Sequence, residues 1–272
     1  MLPTDVQPDQ QPRCWDDHVS VYEAVFEPFT LQFANAAIPT LGLSAGQSVI
    51  DVGAGSGGAA LAMADQGLRV TAIDASPRMV NRILKRAAER GVSIDAQAMD
   101  GEALQFEEAR FDGGLSVLGI ILFPDAKRGL AEMRRVVRPG KRISVVSWTQ
   151  PENYELAAEL RAAIQAVRPD QPQAALPAQL RFREEVDFRA LFQASGLSDP
   201  VITTVTARLE ATSARWLSER VGFAPGMSAT IAGLGNHGPS VIQRLVENLE
   251  VRLGKGPISL SGVAFIGTAR VL

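Results

Sequence analysis

The stretch SVIDVGAGSGG at 48–58 constrains this chain more than any other. Val49 and Ile50 are β-branched and apolar, so Ser48 to Asp51 read as the end of a covered strand. Gly53, Gly55, Gly57 and Gly58 follow at once. Glycine lets the backbone turn sharply and lets a ligand approach with no Cβ in the way. From Ala59 the sequence AALAMADQG reads as a helix. A strand, a glycine turn and a helix N-terminus present free N–H groups to a ligand. The glycines do not choose that ligand. Gly53, Gly55 and Gly58 satisfy the dinucleotide pattern G-x-G-x-x-G, while Gly53, Gly55 and Gly57 satisfy a tighter G-x-G-x-G turn. Asp51 says more. A carboxylate at the strand's carboxyl end suits a cationic group such as an ammonium and suits a pyrophosphate poorly, because like charges repel. The competing reading makes Asp51 a cap or a loop anchor.

Strand and helix alternate from there. Arg69–Asp74 is a second strand, and Pro77 sits at a helix start, where its missing N–H costs nothing. That helix reaches Arg90, and Gly91 ends it. Its basic run, Arg78 to Arg90, has the spacing of one helix face and reads as a solvated surface. Further strands are expected at 92–98, 111–119 and 142–148, with a helix over 125–137 closed by Pro139-Gly140. This rhythm argues for a parallel, doubly wound α/β sheet. Before it, residues 1–12 read as a loose arm and 15–38 as a helix interrupted near Pro28. After it come helices at 151–167, 186–195, 211–221 and 241–253, loops at 168–180 and 222–240, and strands at 201–209 and 262–272. The last two strands fit an antiparallel pair around a helical excursion.

Asp74 ends the second strand, at the offset expected of an acid that accepts both hydroxyls of a ribose. Met79, one helical turn on, is placed either to pack on a purine face or to serve the core. Asp100 follows the third strand, where a carboxylate can accept from an exocyclic amine. Asp51, Asp74 and Asp100 thus share the sheet edge at which open α/β sheets bind ligands. Three acids tolerate an ammonium, a ribose and an adenine amine better than phosphates.

VIDVGAGSGG at 49–58, VTAIDASPRMV at 70–80, AMDGEALQFEEARFD at 98–112 and FPDAKRGLAEMRRVVRPGKRISVVSW at 123–148, with the terminal strand, resemble the class I S-adenosylmethionine-dependent methyltransferases. Within them the resemblance is to the ubiquinone/menaquinone-biosynthesis-like group acting on small molecules. It covers about 50–150 well and beyond that suggests topology only. It implies a Rossmann-like, seven-stranded sheet of order 3-2-1-4-5-7-6 with strand 7 antiparallel, N-terminal helices and a helical insertion between strands 6 and 7. It implies one methyltransferase domain over 1–272, with a helical cap at 13–40, a cofactor core at 41–150 and a C-terminal part at 151–272 whose insertion lies near 211–254. It implies that Asp51 and Gly53, Gly55 and Gly57 hold the methionine part of the cofactor. Asp74 clamps the ribose, Ala75 and Met79 border the adenine, Asp100 and Gly101 meet its amine, and Leu118 and Gly119 border the methionine end. Where many relatives carry histidines before FPD, this chain has Ile120, Ile121 and Leu122, which points to an apolar acceptor pocket.

The expected activity is methyl transfer from S-adenosylmethionine, leaving S-adenosylhomocysteine, to an O, N or C acceptor on a small, largely apolar metabolite. An NAD(P)-dependent oxidoreductase, a non-methylating enzyme on the same fold and a binding protein are the alternatives. A sulfonium methyl is already activated, so alignment and exclusion of water matter most, and a base need not exist. His18 and His237 are the weak catalytic candidates, since only histidine titrates near neutrality unperturbed; Tyr22, Tyr154 and Glu23 are weaker. Trp15, Phe26, Trp148, Trp216 and Phe223 are candidates for the acceptor wall. A net charge of −3 gives no basic surplus for nucleic acid, and the lone Cys14 excludes an internal disulfide and a multi-cysteine metal site. No metal is expected. The N-terminus shows no signal-peptide pattern and no run approaches a membrane span. The expectations are therefore a cytoplasmic monomer or homodimer.

Overall fold

The computed structural model describes residues 6–170 and 176–272. Its centre is a seven-stranded sheet of order β3-β2-β1-β4-β5-β7-β6. The strands are β1 (Ser48–Val52), β2 (Arg69–Asp74), β3 (Ile94–Ala98), β4 (Phe111–Val117), β5 (Val137–Trp148), β6 (Val201–Ala211) and β7 (Ile258–Arg270). The first five run parallel, and β7 lies antiparallel to both β5 and β6. The sheet order is the one the family resemblance implied.

Successive side chains of a strand point to opposite faces, and both faces here are covered. Val49, Val70, Ala72 and Val146 pack in one core with the Glu27–Ala37, Gly58–Asp65, Glu155–Val167 and Gly238–Leu253 helices. Ile50, Ile73, Val145 and Ala269 pack in the other with the Ala126–Val136 and Glu185–Ala194 helices. The central strands read as nearly unbroken apolar runs because neither face meets water. The strand order reverses between β1 and β4, and their carboxyl ends open the crevice where such sheets bind ligands.

Four sequence expectations change. The basic run is a solvated surface only in part: Arg78, Lys85 and Arg90 are exposed, whereas Arg82 and Arg86 are largely covered. Ser76 caps the Pro77–Arg90 helix by accepting from the Met79 N–H, and Arg78, Arg82, Arg86 and Arg90 recur every four residues along one face. Arg78 pairs with Asp17 at 2.9 Å, Arg82 with Glu23 at 2.6 Å, Arg86 with Glu27 at 2.7 Å and Arg90 with Asp65 at 3.3 Å. Three of these partners belong to the N-terminal helices, so the basic face is their dock.

The arm is not loose over the residues described. Pro8–Gln10 forms a short helical turn with Asp9 buried, and Gln7 Oε1 accepts from the Ala178 N–H at 2.8 Å. Residues 1–5 lie outside the described residues, as do 171–175 of the expected 168–180 loop. The glycine-rich 222–240 segment contains a helix, Pro225–Gly233. Proline at its first position is neutral for a helix, and composition hid the rest.

The interruption near Pro28 falls one turn earlier. Tyr22–Phe26 forms a π-helical turn in which the Glu27 N–H reaches the Tyr22 carbonyl. Pro28 has no N–H with which to continue the regular ladder, so the wider turn sits where that donor is missing.

Candidate active site

The glycine turn is built on close backbone approach. Gly53, Gly55 and Gly57 all have positive φ, at 72°, 56° and 94°. A Cβ on Gly53 would lie 2.9 Å from the Gly119 α-carbon, and one on Gly119 would lie 2.8 Å from the Val52 carbonyl oxygen. The turn after β1 therefore lies directly against the turn after β4. Ser116 ties them further: its hydroxyl donates to the Val52 carbonyl at 2.7 Å and accepts from the Ile120 N–H at 3.1 Å. Leu118 takes φ 59°, a strained conformation for a branched residue, at the same junction.

Asp51 is buried beneath this turn, and its Oδ2 has no hydrogen-bond partner among the described residues. Burial, then repulsion from Asp74, pushes its carboxyl up to about 7. Asp74 is half-buried at the end of β2. The Gly55 N–H donates to its Oδ2 at 2.9 Å and the Ser76 N–H to its Oδ1 at 2.9 Å. Burial raises its carboxyl to about 6 against these two donors, with Asp16 adding repulsion. A carboxylate has about four acceptor positions, so Asp74 shapes the glycine turn and keeps capacity for a ligand.

Above the turn lies a cavity of ≈870 Å³. Gly53, Gly55, Asp74, Ala75, Met79, Asp100, Gly101 and Leu118 all line it. Asp51 and Gly57 do not. Asp51 is buried beneath the turn, and the Cβ position of Gly57 points at Ile83, 2.9 Å away, so this glycine serves helix packing. Gly101 also has a packing reason, with Phe123 carbons 2.4 Å from its Cβ position. Asp100 is exposed, and its Oδ1 accepts from the Glu102 N–H at 2.9 Å.

The far end of the cavity is aromatic. Phe26 stacks on Phe223 at 4.6 Å, and Trp148 stacks on Tyr154 at 5.0 Å. Trp15, Phe26, Trp148 and Phe223 line the cavity as expected, joined by Leu122, Phe123 and Tyr154. Trp216 does not; it lies under the Arg220 guanidinium at 4.6 Å. Of the three apolar residues before FPD only Leu122 reaches the cavity, while Ile120 and Ile121 are core.

Neither histidine lines the cavity. His18 Nδ1 is 2.6 Å from the Cys14 carbonyl oxygen, and His237 is exposed. The residues that join the N-terminal helices to the turn went unrecognised in the sequence. Glu27 is buried, accepts from the Ser56 hydroxyl at 2.9 Å and pairs with Arg86, which also donates to the Ser56 carbonyl. Tyr22 covers Gly55, its hydroxyl 3.4 Å from that residue's Cβ position. Asp16 accepts from the Ser76 hydroxyl at 2.6 Å. The signal was present in the i, i+4 arginines and in Trp15, Tyr22 and Phe26 at helical spacing, but nothing local pairs the two segments. Among the described residues no cluster of side chains is arranged to hold a metal, and no helix is long and apolar enough to cross a membrane.

Residues 49–140 match the family described as Methyltransferase domain. An uncharacterised protein of Mycobacterium tuberculosis is 34% identical over 151 residues, 56% of this chain and 54% of that one. The demethylmenaquinone methyltransferase of Renibacterium salmoninarum is 32% identical over 151 residues, 54% of this chain and 62% of its own length. The chain thus spans about half the length of the first of these curated relatives. The crystal structure of the YcgJ protein of Bacillus subtilis superposes with a TM-score of 0.55 at 21% identity, covering 87% of this chain and 97% of the other, a likeness of fold. Residues 49–140 are thus similar to a methyltransferase domain, and the sheet order is the one expected of the class I methyltransferases that the sequence resembles.

Proposed function

We propose that the protein transfers a methyl group from S-adenosylmethionine to a small, largely apolar metabolite. One observation carries the cofactor half of this reading: the Asp51 carboxylate, buried under the glycine turn with Oδ2 unpartnered and Asp74 close enough to repel it. An unpaired buried acid is costly and is relieved by a positive charge. The α-ammonium of the methionine part is such a charge, whereas a pyrophosphate would add to the repulsion. The remaining donors and acceptors fit the same molecule. Asp74 has acceptor capacity left for ribose hydroxyls, and Ala75, Met79 and the carboxylate of Asp100 line the same cavity. When bound, the cofactor supplies a methyl group already activated on a sulfonium.

The chain's own part is to align and to dry the site. Gly53 and Gly119 let the two turns close together, so the cofactor's methionine end is bounded by Leu118. Tyr22 and Phe26 close the cavity from the N-terminal side, and Trp148, Tyr154 and Phe223 form an apolar wall for the acceptor. Such a wall excludes water and holds a planar acceptor in place, which is the larger part of catalysis for a donor this reactive. The acidic lining argues against the NAD(P)-dependent reading. Titration with S-adenosylhomocysteine and with NADH separates the two: the proposal expects saturable binding of the first, and binding of NADH alone would overturn it.

A further inference from the structure

Among the described residues that line the cavity, four are acids, Asp9, Asp74, Asp100 and Glu102, and one is an arginine, Arg161. Arg161 lies on the Glu155–Val167 helix, which follows β5. Its Nη2 donates to the Pro151 carbonyl at 3.0 Å, which holds the guanidinium beside the turn that joins this helix to Trp148. A guanidinium has five N–H donors, and the others make no hydrogen bond among the described residues. The acids of its own helix, Glu155 and Glu159, pair with Arg252 instead, at 3.6 Å and 3.1 Å, so among the described residues Arg161 has no carboxylate partner. The acids of the cavity do not serve it either. Asp9 is buried, and His18, not Arg161, is the cation that bears on it. Asp74 ends β2, and Asp100 and Glu102 follow β3, so β1 and β4 lie between them and β5. At about 4.8 Å per step, β2 and β5 are roughly 14 Å apart. That exceeds the screening length of about 10 Å at moderate salt, so these acids leave the charge of Arg161 uncompensated.

We propose that Arg161 binds an anionic group on the methyl acceptor, a carboxylate or a phosphate carried on an apolar body. The proposal rests on the methyltransferase reading and deepens it by naming the charge of the substrate. The placement of Arg161 on its helix supports it. Tyr154, Ala157, Arg161 and Gln165 recur at steps of three and four residues and all line the cavity, so one helix face runs along it. Seven residues at 1.5 Å each put Arg161 about 10 Å beyond Tyr154 along the axis. An acceptor whose apolar part packs against Trp148, Tyr154 and Phe223 therefore reaches the guanidinium with its polar end. The chemistry of the side chain supports it too. The planar guanidinium offers paired donors that match a carboxylate or a phosphate bidentately. Arg161 is exposed at the cavity's edge, so the ion pair keeps contact with water and selects by charge with a modest effect.

The test measures, by calorimetry, binding of 2-naphthoate, 2-naphthyl phosphate and the neutral 2-naphthamide to the protein loaded with S-adenosylhomocysteine. The three share one ring system and differ in the group offered to Arg161. The wild type is expected to bind at least one of the anions roughly fivefold or more tighter than the amide, the upper end for an exposed ion pair. Which anion it prefers separates a carboxylate-bearing acceptor from a phosphate-bearing one. Arg161→Gln should remove the preference and Arg161→Lys should keep part of it. S-adenosylhomocysteine affinity should stay within about twofold in both variants. Anions bound no better than the amide overturn the proposal, as does a preference that survives in Arg161→Gln or no binding of any of the three. Loss of S-adenosylhomocysteine affinity in Arg161→Gln would assign the guanidinium to the carboxylate of the methyl donor and overturn it too. Failure of the wild type to bind S-adenosylhomocysteine would sink the methyltransferase reading itself, and this proposal with it.

Discussion

The two ends of the cavity are built by opposite means. The proposed cofactor end is polar and backbone-made: glycine turns in van der Waals contact, N–H groups aimed at Asp74, and acids at successive strand ends. The proposed acceptor end is apolar and side-chain-made, from rings that include Trp15, Phe26, Trp148, Tyr154 and Phe223. The first end is fixed by the sheet. The second depends on the N-terminal segment staying docked, because Trp15, Tyr22 and Phe26 all belong to it. The difference suits the reaction proposed here, in which the donor is constant and the acceptor is what varies between enzymes.

Breaking the dock should have the largest effect. Glu27→Ala leaves Arg86 largely buried without its carboxylate and frees the Ser56 hydroxyl, at a cost of about 3–5 kcal/mol. Denaturant unfolding should show this loss of stability, together with looser binding of S-adenosylhomocysteine, since Ser56 belongs to the glycine turn. A stability unchanged within error would mean that the N-terminal helices dock by their apolar face alone. A smaller, more local effect is expected at the other end. Asp74→Ala removes a charged acceptor and the partner of two backbone donors, and calorimetry should read a loss of about 1.5–3 kcal/mol in S-adenosylhomocysteine affinity. If affinity in the folded variant is unchanged, Asp74 serves only to shape the turn.

The same contrast explains what could be read in advance. VIDVGAGSGG and the acids after it are local patterns: each glycine and each strand-end aspartate is placed by its neighbours in sequence, so the doubly wound sheet and its crevice followed, while the sheet order came from the family resemblance. The dock was illegible because Arg82–Glu23 and Arg86–Glu27 join residues 59 positions apart. An arginine stripe looks the same in sequence whether it faces water or a second helix. The Pro225–Gly233 helix was missed because Gly226 reads as a breaker, whereas its reason is contact with Asp9, 217 residues away. Trp216 was grouped with the acceptor wall on residue type alone, whereas its ring packs against the core with the Arg220 guanidinium, one turn on, over its face. Gly57 was grouped with the ligand glycines by motif, while its Cβ position faces Ile83.

The unpartnered Asp51 is a liability in the free protein. Its folded carboxyl, raised to about 7, gives stability that is fully present below the ordinary carboxylate value and is lost as pH rises through about 7. A bound ammonium should reverse that balance, because it interacts with the deprotonated acid. The most direct test of the site is therefore calorimetry of S-adenosylhomocysteine binding from about pH 6 to about pH 8, for wild type and Asp51→Asn. Wild-type affinity should strengthen as pH rises, with a proton released on binding near the lower end, and the variant should bind more weakly with most of that dependence gone. An affinity that does not change with pH and is the same in both proteins would contradict the assignment of Asp51 as the counter-charge of the methyl donor.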